Sequence, residues 1–137
     1  MDKRSEIVQQ TGRSELTAID PQAVAEARTD IPGEAVVALV VETFEALADP
    51  TRARILYALS KRRLCVRDLA ILVGVSQSAV SHQLRFLRTV RLVKGEREGT
   101  TIFYSLMNHH LDVLFREAEY HADHLLQGLP DHPYGRP

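Results

Sequence analysis

Val66-Arg67-Asp68-Leu69-Ala70-Ile71-Leu72-Val73-Gly74-Val75-Ser76-Gln77-Ser78-Ala79-Val80-Ser81-His82-Gln83-Leu84-Arg85-Phe86-Leu87-Arg88-Thr89-Val90 is the stretch that decides the fold. Leu69, Ala70 and Val73 recur at helical spacing, which predicts a helix of about eight residues over 66–73. Gly74-Val75 breaks that pattern. Ser76 or Gln77 then opens a second helix to about Val90, with Ala79, Val80, Leu84 and Leu87 on its apolar face. A short helix, a glycine turn and an amphipathic second helix form a helix-turn-helix pattern.

Downstream, residues 92–94 and 101–106 read as two short strands, the second rich in β-branched and aromatic residues. Gly95-Glu96-Arg97-Glu98-Gly99 between them is expected to be an exposed hairpin loop, so the pair forms a wing. A last helix over about 109–127 stops at Gly128, with Pro130 beyond. Upstream, Asp49 can cap a helix that takes Pro50 in its first turn and runs to about Ser60, with Ile55, Leu56 and Leu59 facing inward. Before it, residues 34–48 carry Val37, Val40, Val41, Phe44 and Leu47 at the spacing of a buried amphipathic helix. Ile31-Pro32-Gly33 breaks the chain ahead of that helix.

The expected architecture is mainly α with a small β-hairpin: a winged helix-turn-helix, homodimeric through its N- and C-terminal helices. Residues 1–30 are expected to be a flexible arm with a short helix around 22–28. Residues 31–128 form the DNA-binding and dimerisation domain, and 129–137 a flexible tail.

Of the 137 residues, 45% are hydrophobic and 26% charged, an ordinary balance for a soluble globular chain. No apolar run approaches the ~20 residues of a membrane span, no secretory signal opens the chain, and one cysteine excludes an internal disulfide. These features point to the cytoplasm. The net charge of −1 conceals a strong asymmetry. Residues 51–98 hold eleven basic side chains against three acidic ones, whereas 1–50 hold four against ten. The middle of the chain therefore suits phosphate, with acidic flanks on both sides.

The face of the second helix opposite its apolar stripe carries Gln77, Ser78, Ser81, His82 and Arg85, with Ser76 at its start. Gln and Arg suit base edges in the major groove, and hydroxyls and the helix N-terminus suit phosphate. Lys94 and Arg97 in the hairpin, with Thr100 and Thr101 nearby, can reach an adjacent groove or the backbone. Taken singly, the serines and Gln77 also suit helix capping and hydration.

The last helix carries His110, His121 and His124. At about 100° per residue the eleven-residue gap from His110 to His121 returns to nearly the same face, and His124 lies one turn beyond. His121 and His124 are close enough to share an ion. His110 is about 16 Å away along the axis, far beyond ligands that bind zinc at ~2 Å. Pairing two copies of the helix antiparallel brings His110 of one beside His121 and His124 of the other, giving two equivalent sites. Leu111, Leu114, Phe115, Ala118, Ala122 and Leu125 form a neighbouring stripe that can pack such helices together.

Leu47-Ala48-Asp49-Pro50-Thr51-Arg52, Leu64-Cys65-Val66-Arg67-Asp68-Leu69-Ala70, 76–84 and Asn108-His109-His110 with His121-x-x-His124 together resemble the ArsR/SmtB family of metal-sensing repressors, over about residues 35–127. The resemblance implies a winged-helix dimer that holds operator DNA in its apo form and lets go when metal is bound. It implies DNA contacts for Gln77, Ser78, Ser81 and His82. It also implies a zinc, cobalt or nickel site of the C-terminal-helix type, on His110, His121 and His124. The family's aspartate position is here Asn108, whose uncharged amide oxygen is a weaker ligand than a carboxylate, so either Asn108, water or another group completes the site. Glu117 is a candidate acceptor for an imidazole N–H. Cys65 and Asp68 match half of a second family site, but residues 1–64 hold neither Cys nor His to complete it.

Three imidazoles and an oxygen suit zinc and tolerate cobalt, whereas nickel calls for more ligands. The expected function is metal-responsive repression, not catalysis: Ser81 and His82 are adjacent on a helix and point apart. The alternatives are a winged-helix repressor sensing oxidants through Cys65 or sensing an organic ligand, and a metal-trafficking protein without operator binding.

Overall fold

The computed structural model describes residues 16–128. The parts of the arm and tail at 1–15 and 129–137 lie outside the described residues. The chain divides into two compact units at Val37/Ala38.

The first unit holds α1 (Pro21–Asp30) and the opening of α2 (Glu34–Leu47). The Asp20 carboxylate accepts from the Ala23 N–H at 2.9 Å, and Pro21 occupies the first turn, which fixes the start of α1. The short helix expected around 22–28 is this element. It buries no side chain.

The second unit is built on α3 (Pro50–Leu59), α4 (Val66–Val73) and α5 (Gln77–Thr89), followed by a wing and α6 (His110–Gln127). Asp49 caps α3 by accepting from the Arg52 N–H at 2.9 Å, with Pro50 in the first turn. Gly74 ends α4 in the left-handed conformation, φ +76, which a glycine adopts without steric cost. Ser76 Oγ then accepts from the Ala79 N–H at 3.0 Å and starts α5. These caps produce the helix-turn-helix boundaries that the sequence predicts.

The core contains Ile55, Leu56, Leu59, Leu69, Ala70, Val80, Leu84, Leu87, Val93, Tyr104, Leu111 and Phe115. Ile55, Leu56 and Leu59 face inward as expected, as do Val80, Leu84 and Leu87.

The β-structure differs from expectation in two respects. A two-residue strand, β1 (Leu64–Cys65), precedes α4 and pairs antiparallel with β3 (Thr101–Leu106), so the sheet has three strands in the order β1-β3-β2. β2 runs Val93–Glu98, through residues expected to form the loop. Gly95 lies opposite Tyr104 in that ladder, and a Cβ there would sit 3.1 Å from the Tyr104 ring and 3.1 Å from Ile102. The glycine marks a close approach within the strand, not a turn. The turn itself is Gly99-Thr100, with Gly99 at φ +63.

α2 departs further. Only Ala46 is buried, while Leu39 and Phe44 are 64% and 55% exposed, and Val37, Val40 and Val41 are also exposed. The helix is where the periodicity places it, but among the described residues nothing covers most of its apolar face.

At the other end of α5, Arg91 takes φ +60, unusual for a residue with a side chain. The junction into the wing is pinned by the Leu92 N–H donating to Leu87 O at 2.9 Å and the Arg91 N–H donating to Arg88 O at 3.0 Å.

Candidate DNA interface and metal centre

α5 presents its polar face as expected: Gln77, Ser78, Ser81, His82 and Arg85 are all exposed. With Val66 they line an open hollow of about 630 Å³ at the mouth of the helix-turn-helix. His82 and Arg85 also border a second hollow with Arg52, Gln83, Phe86 and Thr89, and Arg85 meets Arg88 and Thr89 in a third. This surface is polar and basic, with hydroxyl, amide, imidazole and guanidinium donors beside the N-terminus of a 13-residue helix. Ser76 is the cap, so its oxygen is engaged with Ala79 while its proton remains available to phosphate.

In the wing, Lys94 and Arg97 are exposed on β2. Lys94 Nζ lies 3.9 Å from a Glu96 carboxylate oxygen, a loose surface pair. Glu98, beside the turn, is held by Arg63 at 2.7 Å, and the Arg63 guanidinium lies 4.6 Å from the centre of the Phe103 ring. Arg63 therefore straps the wing to the loop before β1.

Beyond the loose Lys94–Glu96 pair, two of the eleven basic residues that suggested phosphate binding are tied to close structural partners. Arg63 is one and Arg52 the other. Arg52 Nε donates to Ala46 O at 2.8 Å and Nη2 to Glu45 O at 3.0 Å, placing a cation on the last carbonyls of α2. Its Nη1 donates to Gln83 Oε1 at 3.4 Å, and its guanidinium lies 4.8 Å from the centre of the Phe86 ring. Both acceptors on α2 and both contacts on α5 are fastened by one side chain. Its position three residues after the cap Asp49 is the only sequence signal for that role.

On α6, His110 and His121 are exposed and His124 is half-buried. The His124 ring lies 5.9 Å from that of Tyr120. Asn108 Oδ1 accepts from the His110 N–H at 3.0 Å, so the amide starts α6 and sits beside the first candidate ligand. His109, fully exposed, has Nδ1 3.6 Å from an Asp112 carboxylate oxygen. Among the described residues of one chain, no three His, Cys, Asp or Glu side chains gather as a metal site. Cys65 is a free, partly buried thiol in β1, its backbone opposite Phe103.

The expected packing stripe on α6 divides in two. Leu111 and Phe115 are buried in their own chain, and the Phe115 ring stacks on Tyr57 with centroids 4.1 Å apart and planes at 22°. They are spent on the core and unavailable to a partner. Ala118, Ala122 and Leu125 remain exposed. The Tyr57 hydroxyl donates to Glu119. Burial, that hydrogen bond and the nearby carboxylate charge together raise the phenol above its ordinary range.

A helix-turn-helix with a strapped wing and a basic, donor-rich recognition face defines a winged-helix DNA-binding protein. Residues 49–94 match the family described as bacterial regulatory protein, arsR family. The chain is 54% identical over 86 residues to the transcriptional repressor SmtB homolog of Synechocystis sp., covering 63% of each protein. It is 52% identical over 97 residues to the HTH-type transcriptional regulator NmtR of Mycobacterium tuberculosis, covering 70% of this chain and 81% of that one. Among solved structures, that of apo-NmtR matches with a TM-score of 0.60 at 43% identity, covering 90% of this chain and 94% of that one. The homodimeric winged helix-turn-helix DNA-binding domain of a possible ArsR-family regulator from Mycobacterium bovis matches with a TM-score of 0.64 at 28% identity, covering 72% and 91%. The chain belongs to the arsR family of bacterial regulatory proteins. No helix among the described residues is long and apolar enough to cross a membrane.

Proposed function

We propose that this protein is a cytoplasmic, metal-responsive transcriptional repressor that binds operator DNA as an apo homodimer and leaves it on binding zinc, or alternatively cobalt or nickel. The observation that carries this reading is the placement of the histidines. They lie on one helix, His110 too far along it to join His121 and His124 in a single chain, and that helix exposes apolar side chains beside them.

In this reading His110 of one subunit, with His121 and His124 of the other, would hold the ion, and Asn108 would add a neutral oxygen. The donor set of three imidazoles and one oxygen fits zinc. Ligands drawn from two chains would fix the spacing of the α6 pair and of the domains attached to it. Gln77, Ser78, Ser81, His82 and Arg85 read the groove, with Ser76, Lys94 and Arg97 on the backbone or in an adjacent groove. DNA and metal then disfavour one another through one dimer conformation, a coupling of about 1–3 kcal/mol.

Fluorescence anisotropy of the apo protein on its own upstream DNA, titrated with zinc beside a His121→Ala control, tests this. Zinc is expected to weaken wild-type binding about tenfold, equivalent to ~1.4 kcal/mol, and to leave the variant unaffected. Tight binding indifferent to zinc, cobalt and nickel overturns it. Sensing of an organic ligand would then have a candidate place in an open hollow of about 540 Å³ lined by Tyr57, Leu64, Ile71, Leu72, Lys61 and Arg62.

A further inference from the structure

α6 has 18 residues, and those it buries are Leu111 and Phe115. Phe115 lies between the two halves of the histidine set, five residues after His110 and six before His121. A shift or tilt of either end of the helix therefore bears on that ring. The ring is stacked on Tyr57 of α3, and the Tyr57 hydroxyl is bonded to Glu119 one turn further along α6. Tyr57 is thus held by α6 at two points.

α3 is fixed in the core by Ile55, Leu56 and Leu59. Five residues before Tyr57, about 7.5 Å along the axis, Arg52 reaches α5 through Gln83 Oε1 at 3.4 Å and through the Phe86 ring at 4.8 Å. Gln83 and Phe86 flank Arg85 on the recognition helix. One short, stiff helix therefore touches the histidine-bearing helix through Tyr57 and the DNA-reading helix through Arg52. Close-packed interiors pass small displacements on as changes of packing instead of absorbing them.

We propose that Tyr57 and Arg52 are positioning residues that couple α6 to the recognition helix, the Tyr57–Phe115 stack carrying a displacement of α6 into α3 and Arg52 passing it to α5 at Gln83 and Phe86. Neither side chain is a metal ligand in this scheme. The inference rests on the metal-responsive reading above and deepens it by naming the route between the two sites.

The test compares wild type, Tyr57→Phe, Tyr57→Leu and Arg52→Lys in four measurements. These are apo affinity for operator DNA, cobalt affinity from its ligand-field absorption, the fold-loss of DNA affinity on adding zinc, and hydrogen exchange of α5 and α6 with and without zinc. Tyr57→Leu is expected to keep its apo DNA affinity and cobalt affinity within about threefold of wild type. A tenfold zinc effect should shrink to below threefold in this variant. Zinc should still protect α6 in that variant but no longer change exchange in α5. Tyr57→Phe, which keeps the stacked ring, should restore most of the response.

A Tyr57→Leu protein that folds and releases DNA on zinc as fully as wild type overturns the inference while leaving the metal reading standing. Should that variant fail to fold, Arg52→Lys decides. It keeps the charge but loses the planar guanidinium that spans Gln83 and Phe86. A full zinc response in it overturns the inference, and a response at least halved at unchanged cobalt affinity supports it. A wild-type protein that binds cobalt but holds DNA regardless overturns the metal reading and the coupling together.

Discussion

α5 and α6 are both amphipathic helices with histidines on their polar faces, but they are completed differently. α5 is finished by its own chain: Ser76 caps it, Val80, Leu84 and Leu87 are buried, and the exposed remainder is largely polar. α6 buries Leu111 and Phe115 and leaves Leu125 and Leu126 74% and 82% exposed. α2 resembles α6, with Leu39 and Phe44 uncovered. The DNA-reading half of the molecule is thus self-sufficient in packing. The helices α2 and α6 carry apolar surface that the described residues leave uncovered, the pattern of an interface.

The contrast can be broken most severely at Leu84. Leu84→Ala removes a fully packed side chain of α5 and is expected to lower unfolding free energy by about 2–5 kcal/mol. Leu125→Ala on α6, at low protein concentration where a dimer has dissociated, should change it by no more than about 0.5 kcal/mol. Urea denaturation monitored by circular dichroism measures both, and equal costs would erase the distinction.

Next comes Phe44→Glu. Its side chain is mostly exposed in the protomer, so helical content should persist. The dimer dissociation constant in sedimentation equilibrium should rise by roughly thirty- to a hundredfold, about 2–3 kcal/mol for an aromatic side chain lost from an interface. An unchanged association constant would show that α2 is not part of the interface.

A smaller gain is expected at the start of α6. Asn108→Asp keeps an oxygen to accept from the His110 N–H and replaces an amide by a carboxylate. Cobalt and zinc should bind about tenfold more tightly, read by competition with a chelator, and the change should disappear in a His121→Ala background. The smallest effect is at the wing. Arg63→Ala removes an exposed ion pair with Glu98 and a contact with Phe103, costing about 1 kcal/mol of stability or less. Apo DNA binding should weaken slightly as the wing tip loosens, with metal affinity unmoved.

The helix-turn-helix was legible because its determinants are local. Apolar spacing, Gly74 and the cap at Ser76 each act within four residues, and so do Asp49 and Pro50 at α3. Features set by distant partners were not legible. β1 is two residues long and exists only because β3 lies beside it. Gly95 has loop composition but is a strand residue dictated by the Tyr104 ring across the ladder. Periodicity showed that Val40 and Phe44 share a face, but it could not say that the other described residues leave that face exposed. Charge counting placed Arg52 and Arg63 among the phosphate-facing cations, while several of their partners lie far along the chain, the Glu98 carboxylate being 35 residues from Arg63 and the Phe103 ring farther still. The helical placement of the histidines was readable, since His110, His121 and His124 all fall on α6. The division of the α6 stripe at Phe115 was not, because it depends on Tyr57 of another helix.

The pinned junction after α5 has a consequence for the DNA itself. Leu87 and Arg88 accept from Leu92 and Arg91, and Met107 at the end of β3 donates back to Leu92 O at 3.0 Å. Recognition helix and wing are therefore tied into one unit. In the proposed reading, where both touch DNA, each subunit would present the two at one separation. Metal would then alter how two such units are spaced along the duplex, but not the stretch that either one spans.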